Sequence, residues 1–196
     1  MAGLYLGGSQ IKNVYLGTTK AKAVYLGTTQ IWSASTTITA SVAATADDGL
    51  ALPSGLTFTN GMNIGTTGSW GFARFASVAV PQGATITSAT LTITAWANGS
   101  GAPDVSLGAV ASDNAAQPAS GTDVTAAPMT TAAVTWSVAS RPAAPVNLPD
   151  ISTIVQEIVN RSGWQSGNAI MVIAKGLGGG NSNVVDKGET LTVTYS

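Results

Sequence analysis

The first 32 residues repeat one decapeptide three times: Gly3 to Lys12, Asn13 to Lys22 and Ala23 to Trp32. Each copy carries an apolar residue, Tyr, Leu, Gly, a small residue, Ser or Thr, Lys or Gln, then Ile or Ala. Three of the four tyrosines, Tyr5, Tyr15 and Tyr25, hold the same repeat position. Each unit reads as two short strands around a Gly-led turn, and Gly at the first turn position suits a type II′ hairpin. A second reading is a set of extended strands that pair only with another chain. Alternation puts Tyr on one face and Leu with Leu or Val on the other. About 30 residues cannot bury a core alone. The apolar stripe therefore needs a partner: the rest of the chain, copies of it, or another protein. On this reading Leu4, Tyr5, Leu6, Val14, Tyr15, Leu16, Val24, Tyr25, Leu26 and Trp32 form an assembly surface.

Residues 33–196 read as a second unit of a different kind. Strand-like runs rich in Thr, Val and Ile follow one another, separated by Gly, Pro, Asn and Asp. They are 36–44, 56–59, 70–80, 84–97, 105–110, 133–138, 169–175 and 189–195. Roughly eight strands over this length predict an all-β jelly-roll sandwich. One short α-helix interrupts them. Asp150 is its expected N-cap, Gly163 its stop, and Ile151, Ile154, Val155, Ile158 and Val159 its apolar stripe. The opposite side, Ser152, Gln156, Glu157 and Asn160, is expected to face water or a neighbour. Pro81-Gln82-Gly83 reads as a hairpin turn. Residues 98–131, rich in Gly, Ala, Pro, Ser and Asp, read as surface loops around one strand.

Composition removes several chemistries. The 196 residues include no Cys and no His, so thiolate, disulfide and imidazole chemistry are absent. Only 9% of residues are charged and the net charge is −1, which leaves no basic footprint for nucleic acid. No apolar run is long enough to cross a bilayer as a helix. Met1 to Gly8 lacks the pattern of a signal peptide, so the expectation is a chain made in a cytoplasm and kept there or released by lysis. The three lysines of the repeat, Lys12, Lys20 and Lys22, meet no acid before Asp47, so residues 33–196 carry a formal −4. So few charges, with Thr and Ser in their place, suit an assembled rather than a freely diffusing protein.

Residues 74–91, with Arg74-Phe75, Val78, Val80, Pro81-Gln82-Gly83-Ala84-Thr85-Ile86, Ala89 and Leu91, resemble the signature of a jelly-roll module. That module is related to the DNRLRE-type carbohydrate-binding-like domains. Asp150, Ile154 to Arg161, Gly163 to Ala169 and Leu191 to Tyr195 match its helix and closing strands. The repeated Val-Tyr-Leu-Gly-Thr-Thr opening is similar to the N-termini of virion proteins of tailed phages, especially minor tail proteins of actinobacterial phages. Together the two resemblances imply a virion protein with an attachment arm, residues 1–32, and an outward jelly-roll domain, residues 33–196. The module occurs in polysaccharide-acting enzymes and in phage particles alike, so it does not fix function by itself.

The remaining chemistry is sparse. A glycosidase needs two facing carboxylates. Of the nine acids, Asp150 is claimed by the helix and Asp104, Asp113 and Asp123 fall in the loop region. No nucleophile elbow, phosphate loop or zinc-helix motif occurs. The expectation is a protein that is not an enzyme and has no catalytic residue, metal or cofactor. Asp47-Asp48-Gly49 reads as a turn before it reads as a Ca²⁺ loop. Arg74, among apolar neighbours, is expected to meet a buried carboxylate or carbonyls. Trp164 reads as closing the core. Trp96, on the Thr-bearing side of its strand, is the candidate glycan contact. The expected partners are other virion proteins, copies of the chain (a trimer before other states) and a host-surface glycan, with no nucleic acid and no membrane insertion. The alternatives to a minor tail protein are a head decoration protein and a glycan-binding module that adheres to a host polysaccharide.

Overall fold

The computed structural model describes residues 4–6, 8–58, 61–65, 67–95, 104–137, 145–178 and 184–196, with side chains at all of these except 5, 10, 95 and 184–187. The repeat forms three separate two-stranded antiparallel hairpins. They are β1 (Tyr5–Leu6) with β2 (Ser9–Gln10), β3 (Tyr15–Leu16) with β4 (Thr19–Lys20), and β5 (Ala23–Leu26) with β6 (Thr29–Ser33). The hairpin reading of the repeat therefore holds within one chain. Among the described residues no arm strand joins the sheets of the body.

The body holds eleven described strands. In chain order they are β7 (Thr36–Ser41), β8 (Asp48–Leu52), β9 (Gly55–Thr57), β10 (Asn63–Ile64), β11 (Trp70–Phe75), β12 (Ile86–Ala95), β13 (Asp104–Ala109), β14 (Val134–Ser137), β15 (Pro145–Asn147), β16 (Ile170–Gly178) and β17 (Val184–Tyr195). A 3₁₀ turn (Thr45–Asp47) precedes β8, and the helices are α1 (Thr122–Thr125) and α2 (Ser152–Val159). The protein is an all-β sandwich of two antiparallel sheets. One runs β14-β13-β16-β11-β8-β9. In the other, β17 pairs with β12 along one edge and with β7 and β10 along the other, and β15 extends β12.

The eight expected runs correspond to β7, β9, β11, β12, β13, β14, β16 and β17. The expected count was short by β8, β10 and β15, and short by the single-turn helix α1. Alternation sorts β12 and β17 cleanly. Ala89, Leu91 and Ile93 meet Leu191 and Val193 in the core, while Thr90, Thr92 and Thr94 stay on the outer side.

Helix α2 contacts both β12 and β13 and so closes the gap between the two sheets. Ile151, Ile154, Val155, Ile158 and Val159 are all buried in the main core, as their spacing requires. The polar side of α2 does not simply face solvent. Ile86 N–H donates to Gln156 Oε1 at 2.8 Å, and Gln156 Nε2 donates to the Ala84 carbonyl at 2.9 Å. Glu157 accepts the N–H groups of Thr131 and Ala132 at 2.9 and 2.8 Å. These long polar side chains reach back to unpaired loop amides beside the helix, a use that periodicity does not register.

Two further expectations change. Pro81-Gln82-Gly83 does make a turn, with Ala84 N–H donating to the Pro81 carbonyl at 3.2 Å. It joins β11 of one sheet to β12 of the other, so it is a crossover and not a hairpin. The segment 110–130 is more than surface loop. Ala115 and Val124 pack with Ala51, Phe72, Met171 and Ile173 as a second small core on the outer face of the β11–β16 sheet.

Candidate functional site

The arm holds most of the residues that the sequence marks for assembly, and the hairpins sort them by height above the base. At the base of each hairpin a backbone bond closes the ladder. Ile11 N–H donates to the Leu4 carbonyl at 2.7 Å, Ala21 to Val14 at 2.8 Å, and Ala34 to Lys22 at 2.9 Å. Leu4, Val14, Val24, Ile11, Ala21 and Ile31 are half-buried there. At the tips Leu6, Tyr15, Leu16, Tyr25 and Leu26 are exposed, Leu16 to 86% and Tyr15 to 57%. The side chain of Tyr5 lies outside the described residues. Exposure therefore follows distance from the turn rather than the alternation of faces. Gly17 and Gly27 open the turns of the second and third hairpins at φ 63°, a conformation that L side chains disfavour and that matches the hand of a tight hairpin.

Trp32 departs from the expectation. It is 5% exposed, and its indole Nε1–H donates to the Ile11 carbonyl at 3.0 Å. This bond ties the base of the last hairpin to the base of the first. Trp32 is thus buried and hydrogen-bonded within the chain, unlike the exposed tips. A large aromatic with one polar edge suits that place, because it covers apolar surface and still satisfies its N–H.

In the body, Arg74 is held as expected. Its Nη1 lies 2.8 Å from Asp47 Oδ1, and its Nε donates to the Ala115 carbonyl at 2.7 Å. Trp164 is buried, with Nε1–H donating to the Val80 carbonyl at 2.9 Å. Trp96 lies outside the described residues.

Seven of the nine body carboxylates are used internally. Asp47 takes Arg74 and Gln117. Asp113 takes Arg161 Nε at 2.6 Å. Asp123 accepts the N–H groups of Ala119 and Ser120, which hold its carboxyl below the usual range. Asp150 sits one residue before the helix N-cap position, which Ile151 occupies. It accepts Ala89 N–H at 2.8 Å and Ser152 N–H at 3.2 Å. Its burial opposes ionisation, but these bonds and the Ser152 hydroxyl outweigh that and lower its pKa. Asp150 is thus a staple between β12 and α2 as well as a partner of the helix start. Asp48 and Glu189 are buried between the sheets. Sequence reading took Asp48 for a turn residue and gave Glu189 no role, because an acid beside Gly or Thr carries no mark of burial.

An open cleft of about 790 Å³ lies between residues 110–118, α1 and Arg161. Ala and Pro make up nearly half of its lining, beside Asp113, Gln117, Asp123 and Arg161, and no aromatic side chain is among the described lining residues. Among the described residues no group of three acidic side chains is placed to hold a metal ion. Among the described residues no helix is long and apolar enough to cross a membrane.

A scan against protein-family models, a search of curated proteins and a search of solved structures each find no match for this chain.

Proposed function

We propose that the protein is a structural component of a tailed-phage particle, a minor tail protein anchored by its hairpin arm with the sandwich facing outward. The observation that carries this reading is the set of hairpin tips at one sequence period. Leu6, Leu16 and Leu26 stand exposed at equivalent positions, with Tyr15 and Tyr25 exposed beside two of them. Covering one Leu side chain is worth about 1.5–3 kcal/mol. That is less than the roughly 4–15 kcal/mol that association costs. Three Leu tips with their tyrosines, engaged together, reach that range, which gives the repetition a physical purpose. The use of seven carboxylates as internal acceptors supports a structural reading over a catalytic one.

The test is direct. Particles purified to homogeneity are analysed by quantitative mass spectrometry and labelled with an antibody against residues 33–196. The reading requires a fixed copy number per particle and label at the tail. Absence of the chain from particles removes the proposal. Label over the whole capsid replaces a tail protein with a head decoration protein.

A further inference from the structure

One edge of the sandwich is a neutral strand whose outer backbone groups meet no other strand among the described residues. β7 ladders with β17 from Thr36, opposite Tyr195, to Ser41, opposite Thr190, with no break in register. The ladder runs one residue further, where Val42 N–H donates to the Glu189 carbonyl at 3.3 Å. In an antiparallel pair the backbone groups alternate between the two sides. Thr36, Ile38, Ala40 and Val42 therefore turn their N–H and C=O groups toward β17. Thr37, Thr39 and Ser41 turn theirs away from it, and all three residues are exposed.

A sheet edge invites pairing unless a charge, a proline, a bulge or shortness blunts it. The other described edges are blunted or shorter. β15, on the far side of the same sheet, is three residues long and starts at Pro145. β9 and β14, the two edges of the other sheet, are three and four residues long, and β9 starts at Gly55. β10, which shares the β17 edge with β7, is two residues long. β7 is six residues long and holds no Pro, Gly or bulge. No charged residue occurs anywhere between Lys22 and Asp47. Nothing on this strand repels a second copy of itself.

We propose that β7 pairs with β7 of a second copy of the chain, antiparallel about a two-fold axis at Thr39, so that one sheet runs on through both copies. The strand is self-complementary in that register. The outward residues are spaced evenly about Thr39, so Thr39 meets Thr39 of the copy and Thr37 meets Ser41. Every outward N–H and C=O of these residues then finds a mate. On the inner face the same axis sets Ile38 against Ala40 of the copy, twice. A large side chain thus meets a small one at the close spacing of a non-hydrogen-bonded pair. Ile38 is half-buried and packs against the main core, so the pairing extends that core. On the outer face hydroxyls already pair across β7 and β17, Thr37 with Thr194 at 2.9 Å and Ser41 with Thr190 at 3.5 Å. Thr39 repeats that pattern with its copy. A six-residue edge is a small contact beside the roughly 800 Å² per partner of a standard interface, so the pair is weak and forms at high local concentration. It belongs to the sandwich alone and stands whether or not the arm binds a particle.

The chain holds no cysteine, so single cysteines report the register in the full-length protein. Hydrogen-bonded partners stand about 5.5 Å apart at Cα, within disulfide reach. Thr39→Cys should therefore give a covalent dimer on mild oxidation, read on a non-reducing gel. Thr37→Cys, also at an exposed Thr of β7, is the control, because the axis displaces the two copies of residue 37 by about 13 Å along the strands. Thr39→Cys should dimerise at least about tenfold faster than Thr37→Cys, since only the first pair lies within reach. Equal rates, a faster Thr37→Cys, or no dimer from either overturns the pairing. A charge swap reads the same contact without oxidation. Thr39→Lys and Thr39→Glu each set like charges face to face, so each should lower the dimer fraction seen by light scattering, and an equimolar mixture should restore it. Variants with the wild-type dimer fraction, or a mixture that gains none, also overturn it.

Discussion

The arm and the sandwich are built from the same residue types and solve opposite problems. Each arm hairpin closes on itself over a few residues, and Trp32 ties the last to the first. The sandwich closes over nearly the whole chain, with Thr36 paired to Tyr195 and Ile86 to the same residue from the other side. In the sandwich most Leu and Ile side chains turn inward. In the arm Leu turns outward at every tip. Local closure leaves a hairpin little interior to fill, so its apolar residues stay available, whereas long-range closure consumes them. Repetition suits the first arrangement and unique packing the second.

The comparison predicts effects confined to one region. The largest is Ile158→Asp, which places a charge in the fully apolar contact between α2 and the sheets. The sandwich should not fold, read as loss of the cooperative thermal transition. Trp164→Ala should follow. It removes a buried ring and leaves the Val80 carbonyl without its indole donor, at a cost of about 3–5 kcal/mol. An unchanged Tm would place Trp164 at the surface and break the account of this end of the core. Trp32→Ala should remove a similar amount from the arm alone. The hairpin signals in NMR spectra should collapse while the sandwich transition stays where it was. A sandwich that melts with the arm would mean that the two regions are one cooperative unit. A smaller effect, about 0.5–2 kcal/mol, is expected for Asp150→Ala. Because Asp150 also holds Ala89, chemical shifts should move in β12 as well as at the helix start.

The parts of the molecule that sequence made legible are those where one face is apolar and the other polar over a regular period. The stripe of α2 and the alternation of β12 and β17 are such cases. The hairpins were legible through the spacing of Tyr, Leu and Gly. Trp32 was not, because its place depends on a carbonyl at Ile11, 21 residues earlier, that no local pattern indicates. Strand β8 was hidden because Asp47-Asp48-Gly49 has turn composition, while its acids are in fact buried and engaged by Arg74 and Gly61. The inner role of residues 110–130 was hidden for a related reason. Ala and Pro are as common in loops as in small cores, and only the position of Val124 over Phe72 and Ile173 distinguishes the two. Gln156 and Glu157 were misread because long polar side chains can satisfy neighbouring backbone from a position that periodicity assigns to solvent.

The central claim is that the arm attaches by its tips while the sandwich takes no part. Its most direct test is the full-length triple variant Leu6→Ser, Leu16→Ser, Leu26→Ser. These side chains are exposed, so each substitution should change stability by no more than about 0.5 kcal/mol. In cells producing particles, the account predicts that the folded variant is absent from purified particles while the wild type is present at its fixed copy number. A folded variant that enters particles at the wild-type copy number would contradict it.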